Sequence, residues 1–287
     1  MLFTQPNHFN WSVDNFGATT TDAAHGTSVP SDAAAYTKGA NTALLAGIAH
    51  DAYGMTIMMG GGATTGTIRR QLTDILIDPA AGVGNAGSSW SVKIANLFSN
   101  SPSLTTGEQG WWFYFPIFIP AGTAIGAAMQ DVVGTSTIRV GVRLHGQPTR
   151  PDLLMVGTQV QTIGADTANT AGTAYTPGVL GAQGSYSSSI GTLTYSSWWW
   201  QVGVGTADAS MGGIAMAIDV AANATNKIVC LQEVLWRGGG NETCTKSAIG
   251  SIAPFQHIGA GQDVYVRGRT ASSAADTTNT AVVYAVS

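Results

Sequence analysis

Charge is what this chain has least of. Twelve Lys and Arg and sixteen Asp and Glu make up 10% of its 287 residues, where an ordinary soluble domain carries about 25%. The net charge of −4 leaves no basic face to neutralise phosphates, so nucleic acid is not an expected partner. Cysteine is nearly absent as well. Cys230 and Cys244 have neither a CxxC spacing nor clustered histidines, which excludes a thiolate metal site and leaves two buried thiols or a hairpin disulfide. Proline is scarce and the hydrophobic fraction is 44%, which excludes disorder and collagen. The first residues, Met1 to Asn7, lack the basic and apolar regions of a secretory signal. The uncharged run from Gln109 to Gln130 is long enough to span a bilayer. Pro116, Pro120 and the Ala121-Gly122-Thr123 turn divide it into two strands instead, so membrane insertion is not expected.

What the chain does have is glycine, 37 residues of it, and a periodicity of two. Ser91 to Leu97 and Thr137 to Leu144 alternate apolar with polar or small residues, as strands with one wet face do. Ile75-Leu76-Ile77 and Phe113 to Ile119 are continuous apolar runs, suited to central strands or to surfaces covered by a neighbouring subunit. Gly60-Gly61-Gly62, Pro79 to Gly82, Pro120 to Gly122 and Gly238 to Asn241 supply turn chemistry between them. No segment shows a sustained helical stripe. Strands separated by turns predict an all-β protein of antiparallel sandwiches or jelly rolls.

The two halves of the chain match one another in order. Gly39 to Gly60 aligns with Gly184 to Gly205, Ile77-Asp78 with Ile218-Asp219, and Asn96-Leu97-Phe98 with Val234-Leu235-Trp236. Ile119 to Gly122 then aligns with Ile258 to Gly261, and Ile138 to Leu144 with Ala281 to Val286. Such a series predicts a diverged internal duplication. The expected organisation is an extended N-terminal arm over 1–35, a first sandwich domain over 36–146, an extended connector over 147–181 and a second sandwich domain over 182–287. The arm, with Phe9, Trp11 and Phe16 among polar residues, is too short to form a core and is expected to dock on its own sandwich or on another subunit.

Chemistry-bearing motifs are few. Gly82 to Gly87 spells GxGxxG, but a strand pattern follows it where a dinucleotide site needs a helix N-terminus, so it reads as a turn. His8, His25, His50, His145 and His257 lack metal-ligand spacing, and no cofactor is expected. Asp74 with Asp78, or Asp51 beside His50, could be offered as acid–base pairs. The repetition of Asp78 at Asp219 favours side chains that bond their own turn backbone. Arg139 with Arg143, and Arg267 with Arg269, fall on single strand faces and suit solvated faces or ion pairs.

Aromatic clustering is the strongest signal. Successive strand residues point to opposite sides, so the three rings of Trp198, Trp199 and Trp200 cannot all enter one core. Trp11, Trp111, Trp112, Trp198, Trp199 and Trp200 are therefore the candidate site residues, either as subunit contacts or as platforms stacking on sugar rings. Around Ala49 to Gly54, Asp74 to Ala80, Tyr114 to Thr123 and Arg139 to Leu144 the chain resembles virion structural proteins of tailed bacteriophages, of the β-sandwich head-decoration or appendage type. That resemblance implies a non-enzymatic role on the particle, with no cofactor and with partners that are copies of itself and major capsid or tail proteins. A carbohydrate-binding host-adhesion protein is the competing expectation, with a host surface glycan as partner. A polysaccharide hydrolase would need two carboxylates at defined separation in a groove.

Overall fold

Turns rich in glycine and proline cut the chain into eighteen strands joined without a helix among the described residues. The computed structural model describes residues 9–16, 26–60, 69–101, 111–147, 155–206, 215–237, 257–271 and 279–287. Four antiparallel sheets result, in two pairs. In the first sheet, β1 (Ser12–Asp14) and β2 (Thr27–Pro30) lie end to end along β9 (Thr137–His145), followed by β4 (Gly54–Gly60) and β7 (Trp111–Phe115). Facing it is a sheet in the order β3 (Thr42–Leu45), β8 (Ala124–Asp131), β5 (Arg69–Asp78), β6 (Ser91–Ser101). Inward residues of both, including Met55, Ile57, Phe113, Ile125, Met129 and Val142, form one core.

The second half repeats this plan. β10 (Val160–Ile163) and β12 (Ala171–Tyr175) share one edge of β18 (Asn279–Val286), and β14 (Trp199–Thr206) takes the other. β11 (Ala165–Asp166) adds to β12. The facing sheet runs β13 (Gly191–Thr192), β17 (Asp263–Thr270), β15 (Ala215–Ala222), β16 (Ile228–Arg237). Strand for strand, β10, β12, β13, β14, β15, β16, β17 and β18 stand where β1, β2, β3, β4, β5, β6, β8 and β9 stand in the first half. This alternation of strands between two packed sheets is the jelly-roll arrangement, and the duplication expected from the sequence is a duplication of it.

The repeat extends to a local irregularity. On β6 and on β16 two residues bulge opposite one aspartate of the neighbouring strand, between the pairs Thr73–Leu97 and Ile75–Ile94 and between Ile218–Val234 and Val220–Leu231. The bulged residues Asn96 and Glu233 adopt left-handed backbone, with φ of 53° and 52°. Their N–H groups donate to Asp74 at 2.7 Å and to Asp219 at 2.8 Å. Lys38 completes the first site, while Arg267 and Gln183 complete the second. The counterpart of Asp219 is thus Asp74 and not Asp78: each of the first two faces a bulge, while the matching Ile-Asp dipeptide lies four residues further along β5. Asp78 instead accepts from the N–H groups of Ala80, Ser88 and Ser89, which holds its carboxyl below the usual carboxylate range.

Two stretches differ from the sequence expectation. Residues 1–35 contain β1 and β2, and Val29 is fully buried in the first core. A four-residue strand with a single inward valine carries too little pattern to be read as part of a sheet. Residues 147–181 contain β10, β11 and β12, whose Thr/Ala/Gly composition conceals strands that lie beside β18. The apolar run from Phe113 also ends early. Pro116 stops β7, and β7 is an edge strand covered by the other half of the same chain.

That covering joins the halves. All eight residues of β18 are buried. Ala281, Val283 and Ala285 face their own core, while Val282, Tyr284 and Val286 face the core of the first half. Tyr284 enters the open side of the first sandwich, edge-on to Phe113 and Phe115. Its hydroxyl accepts from Phe98 N at 2.6 Å and donates to Asn96 O at 3.0 Å. Thr162 donates to Ala95 O at 2.5 Å, Lys93 reaches Thr158 O at 2.7 Å, and Gln201 donates to Tyr114 O. The edges of β6 and β7 are therefore capped by side chains instead of by strands. Tyr284→Phe leaves a buried N–H and a buried carbonyl unsatisfied, and should cost about 1–3 kcal/mol with the fold retained. Urea unfolding monitored by tryptophan fluorescence measures it; an unchanged midpoint would mean the hydroxyl is dispensable.

Candidate functional site

Alternation along β4, β7 and β9 sends one set of side chains inward and the other to the outer face of the first sheet. Outward residues are Thr56 and Met58 on β4, Trp112 and Tyr114 on β7, and Arg139, Gly141, Arg143 and His145 on β9. Close approach explains two glycines here. A Cβ on Gly141 would stand 2.4 Å from the Phe16 ring, and one on Gly54 would stand 2.7 Å from the Tyr114 hydroxyl. The rings lie flat over the sheet where a side chain would otherwise stand. Phe16 also lies under the Arg143 guanidinium, 4.9 Å from its centroid, and Arg143 pairs with Asp14 at 2.7 Å.

Of the six tryptophans singled out by the sequence, five have described side chains, and among these Trp112 is the exposed one. It is 43% exposed and opposite Met58. Trp200 is fully buried in the second core, and Trp199 is 3% exposed against the first, edge-on to Tyr114. Trp198 is half-buried beside Trp199. The outward ring that strand alternation requires is therefore covered within the chain, and neither Trp199 nor Trp200 presents a face to a sugar or a second subunit. Trp11 is half-buried near His50, just before β1. The Trp111 side chain lies outside the described residues, as does Cys244. Cys230 is buried, and burial pushes its thiol up to about 12.

His145 closes one end of this face and was not distinguished by sequence, because a lone histidine at a strand end carries no spacing signal. It is buried, its Nε2 is 2.8 Å from the Thr56 hydroxyl, and its Nδ1 has no hydrogen-bond partner among the described residues. Phe9 and Tyr114 flank the ring. Burial, with Arg143 close by, lowers its pKa from 6.5 to about 4. No group of three or more His, Cys, Asp or Glu that could hold a metal occurs among the described residues. Every carboxylate among them is committed to structure. Asp32, Asp51 and Asp166 accept from backbone N–H groups, Asp131 from Gln71 and Ser136, Asp263 from Thr192, and Glu233 pairs with Arg269. Asp14, Asp74, Asp78 and Asp219 hold the partners given above. Asp74 and Asp78 bond separate sets of groups, as does Asp51 beside His50.

No protein-family model matches the chain, and no curated protein matches it. Solved structures follow part of its course at very low identity. PNGF-II matches with a TM-score of 0.39 and 10% identity over 97% of this chain, which spans 65% of that one. The STIV MCP matches with 0.32 and 8% over 91% of this chain and 96% of that one. The CBM22-1–CBM22-2 tandem domain of Paenibacillus barcinonensis Xyn10C matches with 0.24 and 8%, over 83% and 80%. The assignment to an all-β, jelly-roll architecture rests on the strand order itself. Among the described residues, no helix is long and apolar enough to cross a membrane.

Two substitutions separate the packing tryptophans from the open one. Trp199→Ala should cost about 3–5 kcal/mol through the cavity it leaves, whereas Trp112→Ala should stay within about 1 kcal/mol; chemical denaturation reads both, and equal losses would contradict the placement. His145 sets a pH dependence. Above pH 6.5 it is neutral in both folded and unfolded chains. As pH falls from 6.5 towards 4 the unfolded chain takes up a proton that the folded one refuses, so stability drops by about 3 kcal/mol across that window. His145→Gln should flatten the decline between pH 6.5 and 4, and parallel profiles would refute the assignment.

Proposed function

We propose that the protein is a non-enzymatic structural protein of a virus particle, built to be one unit of a repeated assembly. The finer form of this reading is a tailed-phage protein that decorates or builds the head or tail surface, in contact with copies of itself and with major capsid or tail proteins. One observation carries it: every carboxylate among the described residues already bonds a backbone N–H, a neighbouring polar side chain or a cation, so the polar groups present serve the framework. The outer side of the first sheet carries an aromatic ring, Trp112, that is exposed among the described residues. Exposed apolar side chains on a sheet face suit association through buried apolar area.

The competing reading, a glycan-binding adhesion protein, is favoured by one feature, the exposed ring of Trp112 on the edge strand β7, beside Met58 and with the Arg139–Arg143 row one strand further on. A ring so placed can stack on a sugar. Immunogold labelling of gradient-purified particles from the natural source tests the first reading: gold on the particle surface is expected, and particles free of the protein would overturn it. A glycan array tests the second. A signal lost at least tenfold on Trp112→Ala would replace the structural reading with adhesion, while a silent array is expected if the protein is a building block.

A further inference from the structure

Within one chain, the outer face of β10, β18 and β14 docks on a strand edge, and the repeat presents that face twice. Asp14 lies opposite Arg143 and Thr56 opposite Arg143 on its other side. Thr162 and Gln201 flank Tyr284 in the same registers. Asp14, Arg143 and Thr56 therefore occupy the positions of Thr162, Tyr284 and Gln201, the three residues that cap β6 and β7. In the first half this trio faces outward, with the Arg143 and Asp14 side chains 35% and 26% exposed.

The residues differ but the hydrogen-bonding capacity is the same. A strand edge offers carbonyls and N–H groups together, and the Tyr284 hydroxyl meets one of each. Arg143 donates to Asp14 through two of its five N–H groups, and the N–H groups and lone pairs that this pair leaves over present a donor and an acceptor side by side. Trp112 and Met58 extend the face as apolar surface, and Tyr114 on the same face already touches Trp199, so this surface is continuous with the contact between the halves.

The complementary edge is repeated too. β16 is the counterpart of β6, with Glu233 at the place of Asn96. Among the described residues no strand pairs with β16 other than β15. Gln232 and Val229 are exposed on it, and the Glu233 side chain is 39% exposed. Glu233, paired with Arg269, is the one carboxylate on this edge that can meet the Arg139 and Arg143 row.

We infer that the outer face of the first sheet, centred on Arg143, Asp14 and Trp112, docks on the β16 edge of a second copy of this chain. The contact is head to tail: each copy contributes one face and one edge, and successive contacts close a ring or run on as a filament. This inference rests on reading the protein as a unit of an assembly, and it names the surface used.

Cysteines placed on the two surfaces test it. In the full chain carrying Cys244→Ser, Met58→Cys and Gln232→Cys are introduced singly and together, with mild oxidation and light scattering on the purified protein. The double variant should form covalent multimers, each single variant should remain uncrosslinked, and Trp112→Ala should weaken self-association at least tenfold while leaving the melting temperature within a few degrees. Rapid dimers of the Met58→Cys variant alone would show a face-to-face contact and overturn the inference, as would a wild-type chain monomeric at about 100 µM. The two readings fail separately. Particles that contain the protein but never yield the 58–232 cross-link would refute this contact and leave the virion role standing. A cross-link in a chain that enters no particle would do the reverse.

Discussion

The contact on which most of this structure depends is the one between the Tyr284 phenol and the edge of β6. A jelly roll has an open side where the last strands of its two sheets run without neighbours, and unpaired backbone there must find partners or stay wet. Here one hydroxyl satisfies an N–H and a carbonyl at once, while its ring fills the space against Phe113 and Phe115. Burial pushes the phenol further above its ordinary pKa, which keeps it a donor as well as an acceptor. Because Tyr284 sits on β18, whose opposite face belongs to the second core, the two sandwiches share a strand's worth of packing and neither is complete alone.

The repeated bulge shows how a duplicated fold keeps a device while changing its parts. An aspartate holding the N–H of a left-handed residue recurs at Asp74 and Asp219, but the counter-charge differs. In the first half Lys38 reaches the site from a loop, and in the second Arg267 reaches it from the adjoining strand β17, with Gln183 at the place of Lys38. What is maintained is an anion against a backbone N–H at a bend in the sheet. The identity of the cation and the strand that supplies it are free to drift.

Fold class was legible from the sequence because alternation and turn chemistry are local signals, and the duplication was legible because five weak matches occur in one order. Three things were not. The short strands β1, β2 and β10 to β12 carry only two to five residues each, too few for a period of two to stand out from Thr/Ser/Gly background. β5 carries two aspartates four residues apart, and the Ile-Asp dipeptide belongs to Asp78 while the bulge on the neighbouring strand faces Asp74, which is why Asp78 looked like the partner of Asp219. The burial of Trp199 depends on the other half of the chain lying across it. Strand alternation predicted an outward ring correctly, but it does not say what the outward side meets.

The burial of β18 on both faces also bears on biosynthesis. A ribosome releases the strands of the first sandwich long before it makes the tyrosine that seals them, since 186 residues separate Phe98 from Tyr284 (284 − 98). At about 5–20 residues per second this is a delay of roughly ten to forty seconds. Throughout it, the nascent chain displays two bare strand edges beside phenylalanines awaiting their lid. Such an intermediate is a natural client for chaperones and a ready template for mispairing between neighbouring polysomal chains, so the yield of folded protein should be set by translation tempo as much as by final stability.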